Sequence, residues 1–311
     1  MLNYIYCKRY LKIRIFFRRF RWGFLQEVAI YSFWIFLNVI MDKVYWSTGQ
    51  FVLGAVVGTA GVAVFAVAIQ LQVMYMQFST AISQLFLPKS TGMVATNDDN
   101  RSISDLFIRT GRIQYIVMAL VLSGFIVFGR QFIVLWAGAG YEDAYIICLL
   151  FFFSLLIPMI QNLGITILQA RNQMKFRSLL YIFIAMAALA LQIVLARRYG
   201  GVGCAIAVSG ALLLGQGLIM NIYYSKRQGN DIGRFWKEIF RMSVIPIAVT
   251  TTFLFADRMT EIDSWRELAV GIVLFCVIYI PLFWVLSMNK YERELLMIPM
   301  RRILLRHDNQ R

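Results

Sequence analysis

The polar side chains able to do chemistry in this sequence sit inside apolar runs, and their spacings place them in rows. Asn38 and Asp42 stand one helical turn apart, with Tyr31 and Tyr45 on the same face. Gln70, Gln77 and Gln84 repeat every seven residues with Ala81 between them, and Asn162, Thr166, Gln169 and Gln173 follow at spacings of four, three and four. A carboxylate accepts hydrogen bonds and an amide both donates and accepts, so such rows can hold hydroxylated or charged cargo. They can equally bond one transmembrane helix to another. Polar groups facing lipid are expensive, so rows on three separate segments point to a shared water-filled cavity and to transport through it. Asp42 is read either as cavity-lining or as one half of a structural ion pair. Lys43, at the outer end of the first apolar run, is read as an anchor that snorkels to the interface.

The elements that carry these rows follow from composition. Of 311 residues 60% are hydrophobic and 15% charged, against about 25% charged in soluble proteins. The chain is therefore an integral membrane protein. Its apolar runs are long and unbroken, where an outer-membrane barrel alternates over about ten residues, so the spans are helices. Uncharged runs extend over residues 28–41, 44–88, 113–129, 144–170, 178–196, 199–225, 242–256 and 268–289. With eight spans, 25 of the 31 Lys and Arg fall on the side of the N-terminus. Splitting 44–88 into two spans would leave 12 against 19. The excess of positive charge on the inner side favours eight, with both termini cytoplasmic. Residues 47–61, "STGQFVLGAVVGTAG", then form a Gly-rich outer connection or half-buried helix, in which Gly54 and Gly58 make a GxxxG that could bring helices together. Pro158 is expected to bend the helix just before Asn162.

The net charge of +15 comes from short basic clusters between apolar runs, which argues against nucleic-acid binding. The segment before the first span is basic, but arginines interrupt its apolar residues and no small-residue cleavage site follows, unlike a signal peptide. Cys7, Cys148, Cys204 and Cys276 are scattered singly and read as core residues. His307 is the one histidine, so a histidine-based metal site is not expected. P-loop, GxSxG and HExxH patterns are absent, as is a convincing pair of membrane carboxylates, so neither an enzyme nor a cofactor is expected.

Four stretches carry a resemblance: residues 33–89 from "FWIFLNVIMDKVYW" to "ISQLFLPK", residues 135–178 from "LWAGAGYEDAYI" to "ARNQMKFRS", "LARRYGGVGCAIA", and "IMNIYYSKRQGNDIGRFWKEI". Together they resemble the polysaccharide biosynthesis flippases, bacterial exporters of O-antigen and capsular repeat units within the multidrug, oligosaccharidyl-lipid and polysaccharide exporter superfamily. That resemblance implies two six-helix lobes around a central cavity, often followed by two further helices. It also implies alternating access, a basic lumen, and movement of an undecaprenyl-diphosphate-linked oligosaccharide across the bacterial inner membrane. "WIFLNVIMDKVYW" matches the family's seventh helix. The implied fold is thus all-α and polytopic, with eight transmembrane helices equal to the second lobe plus two. The expected layout is a basic cytoplasmic linker (1–24), a six-helix lobe (25–224), a cytoplasmic loop (225–241), two further helices (242–288) and a basic tail (289–311). Cavity candidates are Asn38, Asp42, Gln70, Gln77, Gln84, Asn162, Thr166 and Gln169. Arg171, Lys175 and Arg177 are head-group candidates in an inner loop. Membrane lipid and a separate chain supplying the first lobe are the other expected partners, and without that lobe the chain is not expected to flip lipid-linked sugar. Two alternatives remain: a cation-coupled drug exporter using Asp42, and an O-antigen polymerase, which the short outer loops disfavour.

Overall fold

The structure, a computed structural model, describes residues 22–96, 99–257, 263–295 and 297. Most of the expected linker, most of the basic tail, Cys7 and His307 lie outside these residues. Among the described residues the α-helices with defined bounds run in order α1 (Trp22–Val56), α2 (Thr59–Ala95), α3 (Asn100–Ala137), α4 (Asp143–Ile160), α5 (Asn162–Ala170), α6 (Met174–Leu212), α7 (Met220–Lys226), α8 (Ile232–Asp257) and α9 (Trp265–Leu286). A π-helical segment, Leu213–Ile219, joins α6 to α7. No strand occurs among the described residues. In hydrocarbon every backbone N–H and C=O must be satisfied within its own segment, and helices do this.

Seven helical stretches among the described residues are long and apolar enough to cross a membrane, one of them the 53-residue Met174–Lys226. That stretch reverses at Gly200, whose φ of 56° and ψ of −133° lie outside the helical region. Glycine reaches such angles without a Cβ clash. The two arms run antiparallel: Gly203 lies against Leu195, Gly215 against Ile184, and Phe176 stacks on Tyr223 with ring centroids 4.3 Å apart. With that reversal the described residues offer eight helical arms apolar enough to cross, the number that the apolar runs predict. The end of the bundle bearing Gly58, Gly138 and Gly200 is called the upper end below.

Of the two readings of residues 47–61, the structure bears out the half-buried helix. α1 does not stop near Asp42; it continues through Val56, and α2 begins at Thr59. Most of 47–61 is therefore helix, and the turn is confined to Val57 and Gly58, the latter with φ 94°. Gly58 thus lies in a turn, and Gly54 meets only Val62 at van der Waals distance. The close approach belongs to Gly49, where a Cβ would stand 2.8 Å from the Phe65 ring.

Pro158 lies inside α4, and the helix breaks three residues later at Gln161 (φ −108°, ψ 12°) before restarting as α5. α2 and α4 run parallel. Cys148 Sγ donates to the Ala68 carbonyl, Tyr75 stacks on Phe152 at 4.2 Å, and Ser79 Oγ donates to the Met159 carbonyl at 2.7 Å. Lipid tails are as apolar as side chains, so such close packing and hydrogen bonds hold the helices together in place of a hydrophobic drive. α9 docks through the stripe Leu268, Phe275, Tyr279 and Phe283. Its start carries a reciprocal cap, with Ser264 Oγ accepting from the Glu267 N–H and the Glu267 carboxylate accepting from the Ser264 N–H. α1 buries only Asn38, Tyr45, Gly49 and Leu53, one narrow stripe, whereas the shorter α4 buries half its residues.

Candidate functional site

Two polar regions emerge from this fold, one packed and one open. The packed one is the seam between α1 and the first arm of α6. Asn38 Nδ2 donates to the Trp34 carbonyl at 2.8 Å and to Ser178 Oγ, and Asn38 Oδ1 accepts from an Arg177 terminal nitrogen at 2.7 Å. Arg177 is 9% exposed, and its guanidinium lies 4.7 Å from the centroid of the Tyr181 ring. Asp42, one turn above Asn38, is half-buried, with the Trp46 indole beside it, and feels the charges of Arg177 and Lys43. Tyr45 closes the seam above by donating to the Val208 carbonyl. No ion pair within 4 Å joins Asp42 to Arg177 among the described residues. The arrangement fixes α1 against α6 through an amide and leaves the carboxylate with spare acceptor capacity.

The open region is the outward face of α2. Gln70, Gln77 and Gln84 are all exposed on it, with Val73 and Ala81 between them. The buried side of α2 instead carries Gln72, Tyr75, Ser79 and Ser83. There the Gln114 Nε2 of α3 donates to Ser79 Oγ at 3.0 Å and to Ser83 Oγ at 2.6 Å. Asn162, Thr166 and Gln169 are half-buried on α5. Among the described residues no hydrogen bond joins one of the three predicted rows to another. Only Asn38 and Asp42 come together with another predicted residue, Arg177.

The head-group candidates separate in the same way. Arg171 donates to the Gln228 carbonyl at 3.1 Å and to Asn100 Oδ1 at 2.8 Å, holding the 226–231 loop to α3. Arg177 belongs to the seam. Lys175 is exposed, with its ammonium 5.9 Å from the Trp34 ring centroid. A cavity of about 390 Å3 between α3, α4 and α8, lined in part by Tyr115, Ser123, Ser243 and Thr250, includes none of the predicted residues.

Two features escaped the sequence reading. One is the lower-end cluster in which Arg112 of α3 donates to both oxygens of Glu292, at 2.5 and 3.0 Å, and to Glu238 of α8 at 2.5 Å. The partners lie 180 and 126 residues away, and nothing local signals the pairing. The other is a row on α1, Lys43, Ser47, Gln50 and Gly54, whose spacings of four, three and four could have been read from the sequence.

Residues 2–146 match the model of a family described as polysaccharide biosynthesis protein. The match takes in the first of the four stretches whole and the start of the second. It supports the resemblance to the flippase-type family and, at that level, a role in polysaccharide biosynthesis or export with a lipid-linked saccharide as substrate. No curated protein and no solved structure matches the chain.

Proposed function

We propose that this chain forms one wall of a flippase that carries a lipid-linked oligosaccharide across the bacterial inner membrane, with both termini cytoplasmic. The observation that carries the reading is the row of Gln70, Gln77 and Gln84, exposed on a helix otherwise apolar enough to lie in lipid. Amides at membrane depth need water, cargo or a polar partner opposite them, and the match of residues 2–146 to a polysaccharide biosynthesis family supports a saccharide as the cargo. Undecaprenyl diphosphate is the carrier that this reading expects. The α1–α6 seam is then the joint that shifts as access alternates. Asn38 holds it together, and Asp42 is the group whose charge state biases it.

A cation-coupled drug exporter would use Asp42 to bind its coupling ion. Arg177 already supplies a positive charge beside that carboxylate, which favours the saccharide reading. The test is deletion of codons 22–311 at the native locus, followed by assay of surface polysaccharide and of lipid-linked repeat units in the membrane. Loss of the polymer with accumulation of undecaprenyl-linked repeat unit is expected. Intact polysaccharide together with altered drug sensitivity would sink the proposal and favour the exporter.

A further inference from the structure

Lys43 makes no direct polar contact in this fold among the described residues, although its charge reaches Asp42. It is exposed, and among the described residues no hydrogen bond or ion pair reaches it. The adjacent Asp42 is turned to the seam beside Arg177. An anchoring lysine needs an interface within reach. α1, however, runs on to Val56, about 20 Å further at about 1.5 Å per residue. Exposed apolar side chains flank Lys43 on both sides, with Phe33 and Phe36 below it and Phe51 and Val56 above. The lysine therefore stands well inside the apolar length of the helix, where an ionisable side chain is tolerated if it faces water or a counter-charge.

Its direction is fixed by the helical repeat. Lys43, Ser47, Gln50 and Gly54 lie in one line along α1, and Gly54 is the member that meets Val62 of α2. Lys43 thus points to the side of α1 that α2 occupies. The close approaches of the two helices lie towards their shared turn, at Gly54 to Val62, Gly61 to Val57 and Gly49 to Phe65. Extending that antiparallel register brings Lys43 level with the turn of α2 that holds Gln70. Apart from Asp42, Lys43 is the only charged residue between positions 28 and 88.

We infer that Lys43 is an anion-binding residue of the open α1–α2 face, where with Ser47 and Gln50 it takes an oxyanion of the cargo, a phosphate or a sugar carboxylate. The ammonium supplies charge-assisted donors and the hydroxyl and amide supply neutral ones. This inference rests on the reading of the chain as a wall for lipid-linked saccharide, and deepens it by assigning the charge that the wall recognises.

The test uses the whole chain in lipid nanodiscs with two probes, undecaprenyl diphosphate without sugar and a water-soluble disaccharide containing glucuronate. Lys43→Gln is expected to weaken binding of one probe about tenfold or more, and Lys43→Arg to restore most of it. Loss with the first probe identifies the carrier's diphosphate as the ligand, and loss with the second identifies an acidic sugar. Wild-type binding of a probe with Lys43→Gln unchanged for both overturns the inference and leaves the proposed function standing. Wild-type failure to bind either probe sinks both. Independently, in a cysteine-free background, Lys43→Cys is expected to react with a membrane-impermeant thiol reagent and Phe51→Cys to resist it. An unreactive Lys43→Cys places the residue in lipid and overturns the inference whatever the binding result.

Discussion

Arg112 and Arg177 are both nearly inaccessible and both stand where an apolar run begins, yet their surroundings differ. Arg112 is held on three sides: its Nε and one terminal nitrogen grip Glu292, the other terminal nitrogen reaches Glu238, and the Ser287 carbonyl lies 3.4 Å away. Arg177 has an amide at one terminal nitrogen and an aromatic face beneath it, and its Nε has no partner among the described residues. Its nearest acid, Asp42, stays outside ion-pair distance. The first guanidinium is committed to joining α3, α8 and the segment after α9 into one body. The second has one hydrogen bond and one ring contact to give up. If the α1–α6 seam is the joint proposed above, moving it breaks fewer bonds than moving the Arg112 cluster would.

The contrast can be broken by substitution, and the largest effect is expected at the committed arginine. Arg112→Ala strands two carboxylates, one of them 2% exposed, and should lower stability by about 3–5 kcal/mol, read as a fall in the melting temperature of detergent-solubilised protein. An unchanged melt would mean that the cluster is solvated and the comparison empty. Replacing Arg112, Glu238 and Glu292 together by apolar residues should recover much of the loss.

Next comes the helix approach that positions the seam. A Cβ at Gly49 would stand 2.8 Å from the Phe65 ring, so Gly49→Ala should cost about 1–3 kcal/mol. Gly54→Ala, with 3.6 Å of room in the same helix, should gain about 0.5–1 kcal/mol. Similar melts for the two would show that Gly49 does not set the approach of α1 to α2, and a lower melt for Gly54→Ala would assign that role to the GxxxG glycine.

Asp42→Asn should shift the melt by about 1 kcal/mol or less while lowering surface polysaccharide in cells. A double-mutant cycle of Asp42→Asn with Arg177→Gln should give a coupling smaller than that of Arg112 with Glu292. A larger coupling, or unaltered polysaccharide, would return the seam to a purely structural role. The smallest effect is expected at the start of α9, where Ser264→Ala removes one half of the reciprocal cap and should cost about 1 kcal/mol. Faster amide exchange confined to the first turn of α9 would report it, and exchange spread over the whole helix would contradict a local cap.

The eight helical arms were legible in the sequence because each needs an unbroken apolar run, and charge on alternate loops fixes their parity. The membership of each polar row was legible too, since the helical repeat alone sets it. The neighbour each row meets was not. Asn38 finds Arg177 across 139 residues, and the glutamines of α2 turn away from the bundle while the inconspicuous Ser79 and Ser83 turn into it. The extent of α1 was not legible either: a charged pair at the end of an uncharged run does not end a helix, and α1 runs on from Lys43 through Val56.

The reversal at Gly200 also bears on how the protein is made. A ribosome delivers residues 174–226 as one stretch that carries no charge from 178 to 225 except Arg197 and Arg198 beside the reversal. Threading that stretch straight through the bilayer would invert every helix made after it. Folding back at Gly200 lets the two arms enter as a pair, carries only two arginines to the far side, and keeps α8 and α9 in register with the helices already inserted. One residue without a Cβ thus lets the backbone make the reversal on which that pairing depends.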